Sequence, residues 1–175
     1  MQPKEKNYAY IDAANLHNGV NTSGWKLDYR RFRIWLKDKY SVERAYLFIG
    51  LVSKYKDLYN FLQEAGFTLV FKETIFDGDG NIKGNCDTDL VLRAVCDAYE
   101  NNCHRAIIVS SDGDYASLVK FLLVKNRLEV ILSPSNSSKC SILLKRTSAP
   151  IAYLAEQKTI LAYLNKKAPD EDGTS

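Results

Sequence analysis

Several common protein chemistries depend on residues that this chain has in short supply. Its 175 residues include only two histidines and four cysteines, and no two cysteines form a C-x-x-C pair. Structural zinc needs four soft ligands at tight spacings, so we do not expect a zinc site. The cysteines are better explained as reduced thiols of a cytoplasmic protein.

Long apolar segments and recognised catalytic loops are also lacking. Apolar runs such as residues 46–49 and 106–109 are far too short to span a bilayer, and the polar start of the chain has no signal-peptide core. The sequence contains no P-loop, no G-x-G-x-x-G fingerprint and no G-x-S-x-G nucleophile elbow. We therefore expect a cytoplasmic protein that has no membrane partner and uses none of these loops.

Short apolar strands alternate with amphipathic helices along the chain. Strands are predicted over residues 8–12, 44–51, 67–71, 105–110, 128–132 and 151–154. Helices are predicted over residues 27–39, 54–65, 87–101, 114–125 and 156–164, with a short helix ending at 144. This order predicts a three-layer α/β/α fold with a central, mostly parallel sheet of five to six strands. We expect one domain over residues 7–165, with flexible tails at 1–6 and 166–175.

Carboxylates follow two of the predicted strands at the point where each strand ends. Asp12 ends the first strand and Asn15 comes three residues later, while Asp112 and Asp114 follow the strand over 105–110. In open α/β sheets, ligands bind at the carboxyl ends of the strands. These side chains are therefore predicted to meet at one edge of the sheet.

The helix over residues 87–101 adds another carboxylate to this edge. At about 100° per residue, Asp87 shares the sheet-facing side with Val91 and Ala94, whereas Asp89 points roughly the opposite way. A buried carboxylate is costly unless a helix N-terminus or a cation compensates its charge. Oxygen ligands suit Mg²⁺ or Mn²⁺ better than zinc or copper, so the pattern favours Asp87 as a ligand of such an ion.

Each acidic residue also has an ordinary structural interpretation. Asp12 could simply end a strand, and Asp87 and Asp114 could cap helices. Asp112 could precede a turn, and Asn15 could be a loop or capping residue. These interpretations account for each residue alone, but they leave the convergence of four aspartates unexplained.

Three motifs, in the same order along the chain, resemble those of NYN domains. The hydrophobic-D-x-x-N-hydrophobic opening is similar to residues 10–16, YIDAANL. The K-G-x-x-D-x-x-L segment is similar to residues 83–90, KGNCDTDL, and the S-G/S-D-x-D-F segment to residues 110–115, SSDGDY. The resemblance extends from residue 8 to about residue 132, and within the family the chain looks most like the bacterial LabA-like branch.

The resemblance implies a function, because NYN domains belong with the PIN-like nucleases. By position, the catalytic and metal-binding acids are Asp12, Asp87, Asp112 and Asp114, and Asn15 matches the family's amide. With Mg²⁺ or Mn²⁺ bound, such a site is expected to hydrolyse RNA and leave 5′-phosphate ends. The alternative is a non-catalytic RNA-binding or regulatory domain that retains the acidic site.

Basic residues are candidate contacts for RNA. Four of them, spaced by three or four residues, form a stripe on the first predicted helix: Lys26, Arg30, Arg33 and Lys37. Such a stripe can bind phosphates, although a solvated helix face explains it equally well. The candidate substrate contacts are Lys83, Ser111, Arg30 and Arg33. The oligomeric state stays open, with a homodimer as one alternative.

Overall fold

The computed structural model describes residues 5–72, 75–80, 82–83 and 86–165. The strands of its main sheet are β1 (Asn7–Asp12), β2 (Val42–Gly50), β3 (Phe67–Lys72), β6 (Ala106–Val109), β7 (Leu128–Ser133) and β8 (Ile151–Tyr153). Two short strands, β4 (Ile75–Phe76) and β5 (Ile82–Lys83), form a separate antiparallel ribbon. The helices are α1 (Ala13–Thr22), α2 (Tyr29–Tyr40), α3 (Lys56–Glu64), α4 (Cys86–Glu100), α5 (Ala116–Val124), α6 (Ile142–Lys145) and α7 (Lys158–Leu161).

Within the described residues, the main sheet has six strands in the order β3-β2-β1-β6-β7-β8, and every neighbouring pair is parallel. This confirms the predicted α/β fold. The strands β1 and β6 are central neighbours, with Ile11 paired to Val109. Asp12 and the loop after β6 therefore leave the sheet side by side at its carboxyl edge.

Helices cover both faces of the sheet, and each face has its own apolar core. The adjacent residues Tyr10 and Ile11 of β1 are both fully buried but belong to different cores. Ile11 packs on the face covered by α1, α2 and α7, and Tyr10 on the face covered by α4 and α5. Burial on both faces explains why the strands are apolar throughout instead of alternating.

The helix α1 is not predicted from the sequence. Asp12 caps it by accepting a hydrogen bond from the Asn15 backbone N–H. Three asparagines and a glycine in ten residues lower its helix propensity, which hides it from pattern analysis. Packing overrides propensity here, since a Cβ at Gly19 would lie 2.7 Å from the Pro134 Cβ.

Other differences concern the ends of elements. Two helices begin with 3₁₀ turns, Ser53–Tyr55 before α3 and Gly113–Tyr115 before α5, and α7 is much shorter than the predicted helix over 156–164. The chain turns after Asp77, between β4 and β5, and these two strands are too short to show a period of two. Residues 1–4 and 166–175, most of the predicted tails, lie outside the described residues.

No helix in the described part of the chain is both long and apolar enough to cross a membrane.

The guanidinium of Arg33 connects α2 to the start of β2 and to the residue before β3. Its nitrogens donate to the backbone oxygens of Gly66 at 2.9 Å, Val42 at 3.2 Å and Glu43 at 2.8 Å. These acceptors lie at the amino edge of the sheet, opposite the edge where Asp12 lies. As a candidate substrate contact, Arg33 is thus placed away from the acidic residues and already has protein partners.

Arg30 lies on the same helix and is also paired within the protein. Its guanidinium is 3.6 Å from a Glu64 carboxylate oxygen and 5.0 Å from the centre of the Phe61 ring. Both partners belong to α3, and Glu64 ends that helix just before β3 begins. The two arginines of the predicted stripe therefore pack against neighbouring elements at the amino edge.

We expect replacement of Arg33 by Met to destabilise the fold, because three carbonyl oxygens lose a charged donor. The free energy of unfolding should fall by about 2 kcal/mol, which lowers the melting temperature by about 4–8 °C for a chain of this size. Arg33→Lys should restore only part of the loss, since one ammonium cannot reproduce the guanidinium fork. Thermal melts followed by circular dichroism measure this, with exposed Arg31→Met as the matched control. Equal losses in the two Met variants would contradict the structural role.

Candidate metal centre

Asp12 is a buried carboxylate with both oxygens engaged. Its residue is 6% exposed, its Oδ1 accepts the Asn15 N–H at 3.1 Å, and its Oδ2 accepts the Tyr115 hydroxyl at 3.0 Å. Burial raises the pKa of Asp12 above its usual value, while these two hydrogen bonds and the charge of Lys72 act in the opposite direction. The carboxylate is therefore held in one geometry at a cost in solvation.

The Tyr115 hydroxyl links Asp12 to a second carboxylate. Tyr115 is fully buried, and its oxygen lies 2.8 Å from the Asp87 Oδ1. Burial raises the pKa of Tyr115 far above its usual value, and the charge of Asp12 adds to the effect, so the hydroxyl stays protonated. Since a phenol has one proton, the two carboxylates share a single donor.

Asp87 also belongs to a group of three aspartates, which we call the acidic cluster: Asp87, Asp112 and Asp114. One oxygen from each lies within 4.8 Å of the others, and exposure increases from the half-buried Asp87 and Asp112 to the exposed Asp114. Opposite ligands of an ion such as Mg²⁺, at about 2.1 Å each, lie about 4.2 Å apart, so small side-chain rotations would let the three oxygens share one Mg²⁺ or Mn²⁺. Asp89 is exposed and is not a member of the cluster.

Asn15 joins α1 to the loop that carries Asp112. Its Oδ1 accepts the Ser111 backbone N–H at 2.9 Å and the Ser111 hydroxyl at 3.0 Å. The Ser111 oxygen also lies 3.2 Å from the Ser135 hydroxyl, and Ser111 is 8% exposed. Asn15, predicted as a site amide, is half-buried, and Ser111, predicted as a substrate contact, is buried; the two are thus partners that position the loop.

The same loop is fixed by its own turn and by α6. Asp112 accepts the Asp114 backbone N–H at 3.0 Å and so caps the 3₁₀ turn. Ser141 donates its N–H to the Ser111 carbonyl at 3.1 Å, and a Cβ at Gly113 would clash with the Ser141 hydroxyl. A glycine is therefore needed between the two aspartates for the loop to approach α6 this closely.

Lys72 is a cation at this edge that the sequence analysis missed. It ends β3, is half-buried, and is attracted by Asp12, Asp87 and Asp89. Burial lowers the pKa of Lys72, and the three carboxylates partly offset that effect. The signal was available, because Lys72 ends an apolar strand just as Asp12 does. Lys83, the cation that was predicted, has a side chain outside the part that the structure describes.

Fold and site together define a class: a parallel α/β protein with an aspartate cluster at the carboxyl edge of its sheet. The model of the NYN domain matches residues 8–149, and the chain belongs to the NYN domain family. Among curated proteins, none matches the chain significantly. A crystal structure of a protein of unknown function from Vibrio parahaemolyticus is similar, with a TM-score of 0.74 and 23% identity over 92% of this chain and 99% of that chain. At this identity the similarity shows the fold alone.

The raised pKa of Asp12 predicts a pH-dependent cost to folding. Because the folded state disfavours the ionised form, the contribution to stability is full below the unfolded pKa of about 3.9 and is lost as the pH rises through the folded pKa. In EDTA, Asp12→Asn should therefore melt at a higher temperature than the wild type near pH 7, and this gain should shrink as the pH approaches 4. Melting curves across this pH range measure it. The exposed Asp89→Asn serves as control, and a gain independent of pH would contradict the assignment.

A divalent ion in the acidic cluster should stabilise the native state by mass action. At about a hundred times its dissociation constant, Mn²⁺ adds about 2.7 kcal/mol, which corresponds to a rise in melting temperature of about 5–10 °C. Asp112→Asn should abolish most of this rise, whereas Asp89→Asn should retain it. Thermal melts with Mn²⁺ and with EDTA measure the effect. The same rise in wild type and Asp112→Asn would place the ion elsewhere.

Proposed function

We propose that this chain is a metal-dependent ribonuclease that hydrolyses RNA phosphodiesters with Mg²⁺ or Mn²⁺. The observation that carries the proposal is the acidic cluster, in which oxygens of Asp87, Asp112 and Asp114 lie within 4.8 Å of one another. Membership of the NYN family supports it, and the three motifs further suggest the LabA-like branch. The ion would polarise the scissile phosphate and activate the attacking water.

In this proposal some residues of the site bind the ion and others restrain the side chains that bind it. Asp87, Asp112 and Asp114 provide oxygens on the open side of the site. Asp12 and the Tyr115 hydroxyl restrain Asp87 from the buried side. Preorganised ligands of this kind lose little conformational freedom when substrate arrives. Asp12 therefore contributes charge and position from below the cluster.

A polyanionic substrate suits the charge distribution of the chain. Lysine and arginine number 24 against 21 aspartate and glutamate residues, a net charge of +3. Because several of the acids converge at the carboxyl edge of the sheet, the rest of the surface is more basic than this total suggests. A basic surface attracts RNA, and the bound ion lets its phosphates approach the acidic cluster.

A non-catalytic RNA-binding or regulatory domain is the second candidate, and one observation favours it. Tyr115 lies at the position of the Phe in the S-G/S-D-x-D-F motif of the family. Its hydroxyl is hydrogen-bonded to one oxygen of Asp12 and one of Asp87. The shared hydroxyl proton occupies a lone pair that an ion could otherwise use. The acidic cluster would then hold an ion for structure or for RNA binding alone.

The ribonuclease proposal predicts RNA cleavage that depends on both the metal and the aspartates. Wild type with Mn²⁺ should cut RNA to products with 5′-phosphates, which a 5′-phosphate-dependent exonuclease then degrades. Asp112→Asn keeps the side-chain size but removes a ligand charge, so the rate should fall at least about a hundredfold, whereas Asp89→Asn should stay within a few-fold of wild type. Gel assays of labelled RNA measure both.

Two outcomes would reject the proposal. Cleavage that persists in EDTA, or that leaves 2′,3′-cyclic ends, is incompatible with an ion-dependent hydrolysis. RNA binding without cleavage in Mg²⁺ or Mn²⁺ would favour the second candidate.

A further inference from the structure

A cavity of about 210 Å³ opens next to the residues that follow Asp12, at the carboxyl ends of β2 and β3. It lies between α1 and α3, and its wall includes Ala13, Ala14, Phe48, Leu58, Leu62 and Lys72. Ala13 and Ala14 directly follow Asp12 in the chain. The cavity therefore adjoins the site described above without containing any of its carboxylates.

Lys72 occupies the boundary between this cavity and the carboxylates. It lines the cavity, and Asp12, Asp87 and Asp89 are close enough to act on its charge. Within the described residues, no side chain or carbonyl forms a hydrogen bond or an ion pair with the Lys72 ammonium. A half-buried cation without a direct partner carries a desolvation cost that an anionic ligand would relieve.

The chemistry of the cavity itself is different, because most of its wall is apolar. Leu58 and Leu62 come from α3 and Ile49 from β2, while His17 and Tyr29 add polar atoms. Burial raises the pKa of Tyr29 to about 12, so its hydroxyl remains a hydrogen-bond donor at neutral pH. An apolar wall with a few polar atoms suits a flat heterocycle that also carries hydrogen-bonding edges.

We propose that this cavity is a subsite for one unpaired nucleotide of the substrate, with its phosphate on Lys72 and its base against the apolar wall. The proposal rests on the proposed function, because it takes RNA as the substrate. The cavity has a cation at one end and apolar surface behind it. A nucleotide matches both features, because its phosphate is anionic and its base has an apolar face. A base-paired nucleotide cannot enter, since its base is held inside the duplex stack.

The phosphate contact is tested by RNA binding in EDTA, where no ion is bound and hydrolysis is not required. Fluorescence anisotropy with a labelled ten-nucleotide single-stranded RNA gives the dissociation constant. Lys72→Met keeps the apolar stem but should weaken binding about tenfold and reduce the salt dependence by about 0.7 in the log–log slope. Lys72→Arg should retain most of the affinity.

The matched control for charge is Lys125→Met, which removes an exposed lysine between α5 and β7, at the amino edge of the sheet. It should leave the dissociation constant within about twofold of wild type, an effect typical of a single exposed charge. Equal losses for Lys125→Met and Lys72→Met would indicate general attraction and would overturn the proposal. Melting curves of each variant verify that the chain is folded.

The base contact is tested by competition and by one exposed wall residue. Adenosine monophosphate should displace the labelled RNA at lower concentration than inorganic phosphate, and duplex RNA of the same sequence should compete at least about tenfold less well than the single strand. Leu58→Ser should remove the advantage of the nucleotide over phosphate, whereas Leu92→Ser, at an exposed leucine of α4, should preserve it. Equal competition by phosphate and nucleotide in the wild type would overturn the base subsite.

The two proposals fail in distinguishable ways. If RNA is cleaved normally by Lys72→Met and bound as tightly as by wild type, the subsite is wrong while the ribonuclease stands. If binding in EDTA depends on Lys72 and Leu58 but no ion supports cleavage, the subsite stands and the ribonuclease is wrong.

Discussion

The shared hydroxyl of Tyr115 is the interaction on which the acidic edge depends. Asp12 leaves β1 and Asp87 begins the first turn of α4, so their negative charges are brought together by two different parts of the fold. One buried hydroxyl lies within 3.0 Å of both carboxylates. It lessens their repulsion and keeps the helix start against the end of the strand. The positions of the remaining ligands follow from this anchored pair.

The charges around that pair are arranged in layers from the buried side to the open side. Asp12 is buried and hydrogen-bonded, Asp87 and Asp112 are half-buried, and Asp114 is exposed. Lys72 supplies positive charge from the neighbouring strand end. A cation on the open side would complete this balance, and a cluster of carboxylates alone is the less stable arrangement. The electrostatics therefore favour a cation in the acidic cluster.

Sequence patterns predicted the strands that are continuous apolar runs and the helices with an apolar stripe, and they failed where packing overrides local preference. The strands before Asp12 and Asp112 are continuous apolar runs, so their ends and the carboxylates that follow them could be predicted. The helix α1 could not, because its asparagines and glycine are poor helix formers that packing and the Asp12 cap hold in place. The spacing of Arg33 predicted that it belongs to a basic stripe on the helix surface. Its guanidinium instead donates hydrogen bonds to backbone carbonyls at the starts of strands farther along the chain.

The sequence by itself determined the fold class, the family and the placement of carboxylates at the carboxyl edge of the sheet, because apolar strand runs and local motifs are properties of neighbouring residues. Only the tertiary structure decided the partners: that Tyr115 joins Asp12 to Asp87, and that Lys72 lies beside them. These contacts connect residues from 15 to 103 positions apart in the chain. The separation of such atoms is set by sheet order and helix packing, which no local pattern encodes.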